Sequence, residues 1–302
     1  MPNEHPPTID PTAAARWAHV APALSPWLHE EVARRMEQRL DVIRAQPARW
    51  AHWGAVRGGL GAHALLARRY HGAECFVVEA DDRYAQVAIK SIAKPWWHPT
   101  GWRAGALHFE APPEAGVQMV WANMALHEAA APEVLIRQWH RALATDGFLM
   151  FSCLGPDTLR ELRALYAALG WPPPGHEFTD MHDWGDMLLQ TGFAEPVMDM
   201  ERIRLTYATP ARLLQDLREL GRNLHPARFA ALRGRGWRER LEQALAAQLT
   251  DPADEGRLAL TFEVVYGHAL KPAPRMPVRP ETQVKIEWVR DALRHPKNAD
   301  KS

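Results

Sequence analysis

Two hydrophobic periods divide this chain, and only a mixed α/β sheet accommodates both. Up to about residue 170, short apolar runs of strand length (75–78, 117–121 and 147–153) alternate with stretches whose apolar residues recur every three or four positions. The helical stretches are 62–70, the Leu135, Trp139 and Leu143 set, and the Leu159, Leu162, Tyr166 and Leu169 set, which Gly170 stops. Strands that are apolar throughout, with a helix between each pair, imply a parallel sheet covered on its faces. Beyond residue 200 the period falls to two: Ile203, Leu205 and Tyr207, then Leu258, Leu260, Phe262, Val264 and Tyr266. Side chains alternate across a strand, so this pattern predicts an antiparallel pair closing the sheet.

The flanks read differently. Residues 1–10 are polar and proline-rich and are expected to be disordered. Ser25 as cap, Pro26 in the first turn and the stripe Leu28, Val32, Met36, Leu40 and Ile43 predict an amphipathic helix ending before Pro47. The expected organisation is an N-terminal helical arm (1–46), a sheet domain (47–272) with a helical insertion at about 210–250, and a proline-broken tail (273–302). Within that tail only 283–294 reads as a short helix, and no internal repeat is present.

Charge and composition exclude several functions. The 36 basic and 36 acidic residues cancel, so bulk electrostatics selects no nucleic acid or membrane. No apolar run reaches the roughly 18 residues of a membrane span, and the first residues lack a signal-peptide pattern, so a cytoplasmic protein is expected. Cys75 and Cys153 lie inside apolar runs, and the 15 histidines form no tight ligand spacing; no metal site is expected. The 13 tryptophans, Trp96 and Trp97 included, have no basic RNA-binding context and read as packing.

The segments WANMALH (121–127), FSCLGPDTLRELR (151–163), FTDMHDWGDMLLQTGFAEPVMDMERIRLTY (178–207) and TFEVVYGHALKP (261–272) resemble the malonyl-acyl-carrier-protein O-methyltransferases of biotin synthesis. These belong to the class I S-adenosylmethionine-dependent methyltransferases, and the matching segments are spread over residues 121–272, about half the chain. The resemblance implies a Rossmann-like sheet of seven strands with the last two antiparallel, S-adenosylmethionine as cofactor, and an acyl carrier protein as partner. Such folds open with a strand, an acid and a turn of three glycines, because a Cβ there occupies ligand space. In an ungapped count from Glu79, those glycine places fall on Val56, Gly58 and Leu60, with Gly54 in the acid's place. The motif is eroded, although Gly58, Gly59 and Gly61 still allow a tight turn.

The cofactor-binding candidates are therefore Gly54, Gly58, Gly59, Glu79 as ribose acceptor, and Asn123, which equally suits a turn-stabilising role. Methylating an ionised carboxylate requires no general base; it requires alignment, exclusion of water and a cationic grip. His127 and His182 are the catalytic candidates. His127 reads equally well as a buried structural histidine, and Asp180 before His182 and Asp183 reads more readily as a helix cap. Ten arginines face three acids between Arg202 and Arg240, so Arg228, Arg233, Arg235 and Arg238 are expected either to meet an acidic carrier protein or to form a solvated helix face. A catalytically silent binding or regulatory protein of the same fold is the alternative function.

Overall fold

In the computed structural model, residues 9–93 and 105–274 are described. Trp96, Trp97 and the expected helix at 283–294 lie outside them, as do residues 1–8. The contacts divide the chain into 1–272 and 273–302.

The sheet contains β1 (Arg49–Trp53), β2 (Glu74–Val78), β3 (Leu107–His108), β4 (Val117–Ala122), β5 (Leu143–Leu154), β6 (Ala194–Tyr207), β7 (Thr250–Asp251) and β8 (Arg257–Leu270). Its order is β3-β2-β1-β4-β5-β8-β6, with the two-residue β7 added to β8 off this path. Pairings among β1 to β5 are parallel. β8 inserts between β5 and β6 and runs antiparallel to both, with Leu205 opposite Leu260 and Tyr207 opposite Leu258. The two period-two segments thus pair as their alternation predicts; the short β7 carries no hydrophobic signal.

Alternation along each strand sorts side chains into two cores. One face carries Trp50, Val77, Met119, Trp121, Met150, Leu260 and Phe262. It is covered by α2 (Trp27–Gln38), α4 (Leu60–Arg69), α5 (Asp82–Ile92), α7 (Arg160–Ala168), α9 (Pro210–Leu220) and α10 (Arg235–Leu249). The other face carries Ala51, Val120, Leu149, Phe151 and Val265 under α6 (Pro132–Ala142) and α8 (Met181–Thr191). Leu143, expected in a helix, is instead the buried first residue of β5, because α6 ends at Ala142.

Two further corrections concern the N-terminal part. Residues 11–20 form an additional helix, α1 (Pro11–Val20), capped by Asp10, whose side chain accepts from the Thr12 and Ala13 N–H groups. Short, rich in alanine and with only Trp17 buried, it carries too little stripe to be read as amphipathic. The α2 helix has no side-chain cap. Ser25 acts across the fold instead: its Oγ donates to Val56 O (2.7 Å) and accepts from Leu60 N–H (3.0 Å), pinning the arm to the turn after β1.

The GPDTL-x-ELR segment has a structural explanation. Thr158 Oγ1 donates to Glu263 O (3.0 Å) and accepts from Glu263 N–H (3.1 Å). Glu161 accepts from Thr261 N–H at 3.0 Å and from the Thr261 hydroxyl. Asp157 pairs with Arg202 at 2.8 Å. The segment therefore clamps the entry to α7 onto β8 and β6.

Candidate functional site

In parallel sheets ligands gather beyond the carboxyl ends of the strands. Here those ends are Trp53 of β1, Val78 of β2, Ala122 of β4 and Leu154 of β5. After β1 the chain turns through Gly54 (φ +67°), forms the one-turn helix α3 (Ala55–Gly58), and turns again at Gly59 (φ +124°). A side chain at Gly54 would meet nothing within 4 Å, so this glycine is required by its dihedral alone. At Gly58 an added Cβ would lie 2.8 Å from Asn123 O, and at Gly59 3.2 Å from Glu30 of the arm. The close approaches of Gly58 and Gly59 are thus to the chain itself.

Asn123 is buried, and both ends of its amide are engaged. Its Nδ2 donates to His29 O (2.8 Å) and to Gly58 O, while its Oδ1 accepts from the Ser152 hydroxyl (2.6 Å). It locks the β4 end to both the arm and the turn. Next to it Met124 holds φ +55°, its N–H donating to Ser152 O (2.9 Å). A left-handed non-glycine residue costs about 1–2 kcal/mol and persists where its surroundings over-determine it.

Glu79, immediately after β2, accepts from Val56 N–H at 2.8 Å. Burial pushes its carboxyl up to about 7, against the opposing effect of the Val56 and Ala55 backbone donors, and no ion pair to it occurs among the described residues. Val56 itself is fully buried in the core, with Leu60 packed against the same cluster.

Beyond β4 and β5 lies a cavity of about 450 Å³ whose walls include Met124, His127, Leu154, Leu159, Leu162 and Phe262. Leu28 and His29 of the arm and Trp237 and Leu241 of α10 line it as well. Leu159 also holds a left-handed backbone, φ +57°, at the start of α7. His127 is buried there with Nδ1 unpartnered. Burial, reinforced by neighbouring His29, His176 and Arg57, holds its ring well below the usual histidine range, so it is neutral. His29, whose Nδ1 lies 2.8 Å from Arg57 O, is lowered to about 3 by burial and by the Arg57 charge.

His182 goes elsewhere: it is exposed on α8, with its backbone N–H donated to Asp180 Oδ1 (2.7 Å) as the capping pattern predicts. His127 is joined instead by His176, whose Nε2 lies 2.8 Å from His127 O, and by His29. Neither carried a sequence signal, since each becomes a wall residue only when a loop or the arm folds back over the sheet.

Arginines also line this cavity. Arg218 and Arg222 line it, and Arg57 lies close by, donating to Glu219 O (3.1 Å) and Leu220 O (2.8 Å). Burial together with the charges of Arg218 and Arg57 lowers the Arg222 pKa. Glu128 lines the cavity too; its carboxylate accepts from Trp17 Nε1 at 2.8 Å and its pKa is pushed upward by burial. Among the proposed partner arginines, Arg228 is engaged internally by Asp10 at 2.6 Å, and Arg238 pairs with Glu242 at 2.8 Å. Arg235 is exposed at the start of α10, and Arg233 lines the cavity.

Among the described residues no cluster of three or more His, Cys, Asp or Glu side chains is placed to hold a metal, and no helix is long and apolar enough to cross a membrane. Cys75 and Cys153 are free and buried, and burial pushes both thiols up.

The strand order and the single reversed strand β8 define a class I methyltransferase fold. Among solved structures, a candidate methyltransferase of Bacillus halodurans superposes with TM-score 0.51 at 12% identity, over 80% of this chain and 100% of that one. The YcgJ protein of Bacillus subtilis does so with TM-score 0.51 at 16% identity, over 81% and 99%. The chain belongs to the malonyl-[acyl-carrier protein] O-methyltransferase family. Its relative from Gallionella capsiferriformans is 39% identical over 257 residues, 82% of this chain and 86% of the relative. That from Laribacter hongkongensis is 40% identical over 258 residues, 82% and 84%. No family model matches the chain.

Proposed function

We propose that this protein transfers a methyl group from S-adenosylmethionine to the free carboxylate of a malonyl thioester on an acyl carrier protein, the reaction its relatives are named for, in biotin synthesis. The observation that carries the reading is the apolar cavity beyond β4 and β5, with arginines and neutral histidines in its wall. An acyl thioester ending in an anion suits that combination.

The cofactor fits unevenly. Glu79 lies at a strand end with a half-buried carboxylate and no cationic partner among the described residues, which suits the two hydroxyls of a ribose; it is the residue that would hold them. The turn after β1 is more closed: Gly58 and Asn123 contact each other, Ser25 takes Leu60 N–H, and Glu30 takes Gly61 N–H at 3.1 Å. The donor, when bound, supplies an already activated methyl group on a sulfonium. The protein's part is to bind and orient. Arg218 and Arg222 attract the carboxylate, which is ionised at neutral pH because its pKa is about 4. The apolar wall excludes water, and His127, neutral and lacking a carboxylate partner among the described residues, orients rather than removes a proton.

The engagement of Asn123, Gly58 and Glu79 by the chain itself favours a second reading, a silent binding protein of the same fold. One experiment separates the two. Malonyl-loaded carrier protein is incubated with the protein and S-adenosylmethionine, and the intact carrier is weighed by mass spectrometry. Gain of one methylene, removed by mild ester hydrolysis, supports methyl transfer. Carrier binding without mass gain supports the silent reading.

A further inference from the structure

The arginines of the 202–240 stretch do not share one environment. Arg202, Arg204, Arg212, Arg228 and Arg238 each form an ion pair with a carboxylate of this chain. Arg233 forms none among the described residues. Its guanidinium instead lies over two aromatic rings, 4.1 Å from the centroid of Phe229 and 4.1 Å from that of Trp237. Trp237 is backed by Trp171 at 5.4 Å, and Trp171 in turn by Tyr166 at 5.2 Å, so the platform is anchored in α7 and α10. Arg233, Trp237 and Tyr166 all line the cavity.

The geometry points to Arg233 as the oxyanion seat of this cavity, a guanidinium edge that binds a carboxylate or phosphate group of the thioester ligand. The inference rests on the reading of the cavity as a thioester site and adds to it a specific recognition residue. Aromatic rings attract a guanidinium through its faces but cannot accept its five in-plane N–H bonds. Rings therefore hold the group in place while leaving its edge without an acceptor. A planar fork of this kind matches an oxyanion bidentately, which neither a lysine nor a rim charge does. A carrier-bound malonyl group offers two such oxyanions: the terminal carboxylate, and the phosphate joining its pantetheine arm to the protein.

Three small thioesters distinguish the sources: malonyl-pantetheine carries only the carboxylate, acetyl-phosphopantetheine only the phosphate, and acetyl-pantetheine neither. Their affinities are measured by calorimetry for the full chain and for Arg233→Gln and Arg233→Lys, with thermal unfolding as the check on folding. Arg233→Gln is expected to weaken one of the two anionic thioesters at least tenfold and to leave acetyl-pantetheine unchanged, with Arg233→Lys restoring only part of the loss. Which anionic thioester responds identifies the source. Equal affinity of both anionic thioesters in wild type and Arg233→Gln overturns the seat while leaving the thioester site standing. Equal weakening of all three makes Arg233 a packing residue and also overturns it. Failure of the wild-type chain to bind any of the three overturns the thioester reading and the seat together.

Discussion

Glu79→Gln isolates the electrostatic state of the β2 end. Glutamine keeps an oxygen to accept Val56 N–H, now 2.8 Å from Glu79 Oε1, and removes the titration. In the folded protein burial raises this carboxyl from an ordinary 4.5 to about 7. A raised folded pKa means that the protonated form is favoured by folding. The contribution is fully present below pH 4.5 and is lost as pH rises through about 7. The difference between the two values corresponds to ~3 kcal/mol, and partial exposure of the side chain reduces this to ~2 kcal/mol at pH 8. Urea unfolding of both proteins between pH 4.5 and pH 8 checks it. Near pH 4.5 the two are expected to differ little; at pH 8 the glutamine variant is expected to be more stable by ~2 kcal/mol. Parallel stability profiles across that range would show that Glu79 is solvated in the folded state and refute its desolvation.

Asn123→Ala removes three hydrogen bonds and leaves His29 O, Gly58 O and the Ser152 hydroxyl without this partner, so a loss of ~2–3 kcal/mol in denaturant unfolding is expected. Val56→Gly, chosen because glycine is the usual residue at this place in the turn, is expected to cost ~3 kcal/mol and not to tighten S-adenosylmethionine binding, since the Val56 side chain packs in the core; tighter binding by calorimetry would contradict this. Arg235→Glu is expected to slow association with a malonyl-loaded carrier protein in stopped flow, most at low salt, with the melting temperature nearly unchanged. Arg228→Ala, by contrast, is expected to leave that rate unchanged and to speed hydrogen exchange in α1, because Arg228 anchors Asp10 rather than facing a partner.

Most of the sheet was legible in the linear chain because hydrophobic period is a local property; β1 (Arg49–Trp53) and the two-residue β3, whose short runs carry no clear period, were not. The alternation at 203–207 and 258–266 predicts strands, and their antiparallel pairing follows from the sheet they must close. Capping at Asp180 and the stop at Gly170 were legible for the same reason, each involving neighbours a few residues apart. The cap pattern at Ser25 misleads because the partners of its hydroxyl, Val56 and Leu60, lie more than thirty residues away.

For the site, sequence by itself determined the fold class, the acid after β2 and the unusual density of arginine. It could not determine what each polar group faces. Asn123 reads identically as a ligand contact or a lock, and only the arrival of His29, Gly58 and Ser152 from three distant segments makes it a lock. Arg228 and Arg233 are five residues apart and indistinguishable by charge; tertiary structure ties one to Asp10 and places the other over Phe229 and Trp237 in the cavity wall. The physical reason is that period and propensity act within a few residues of the backbone. Desolvation, ion pairing and hydrogen-bond satisfaction depend instead on whichever groups the fold brings within a few ångströms, however far apart they stand in the chain.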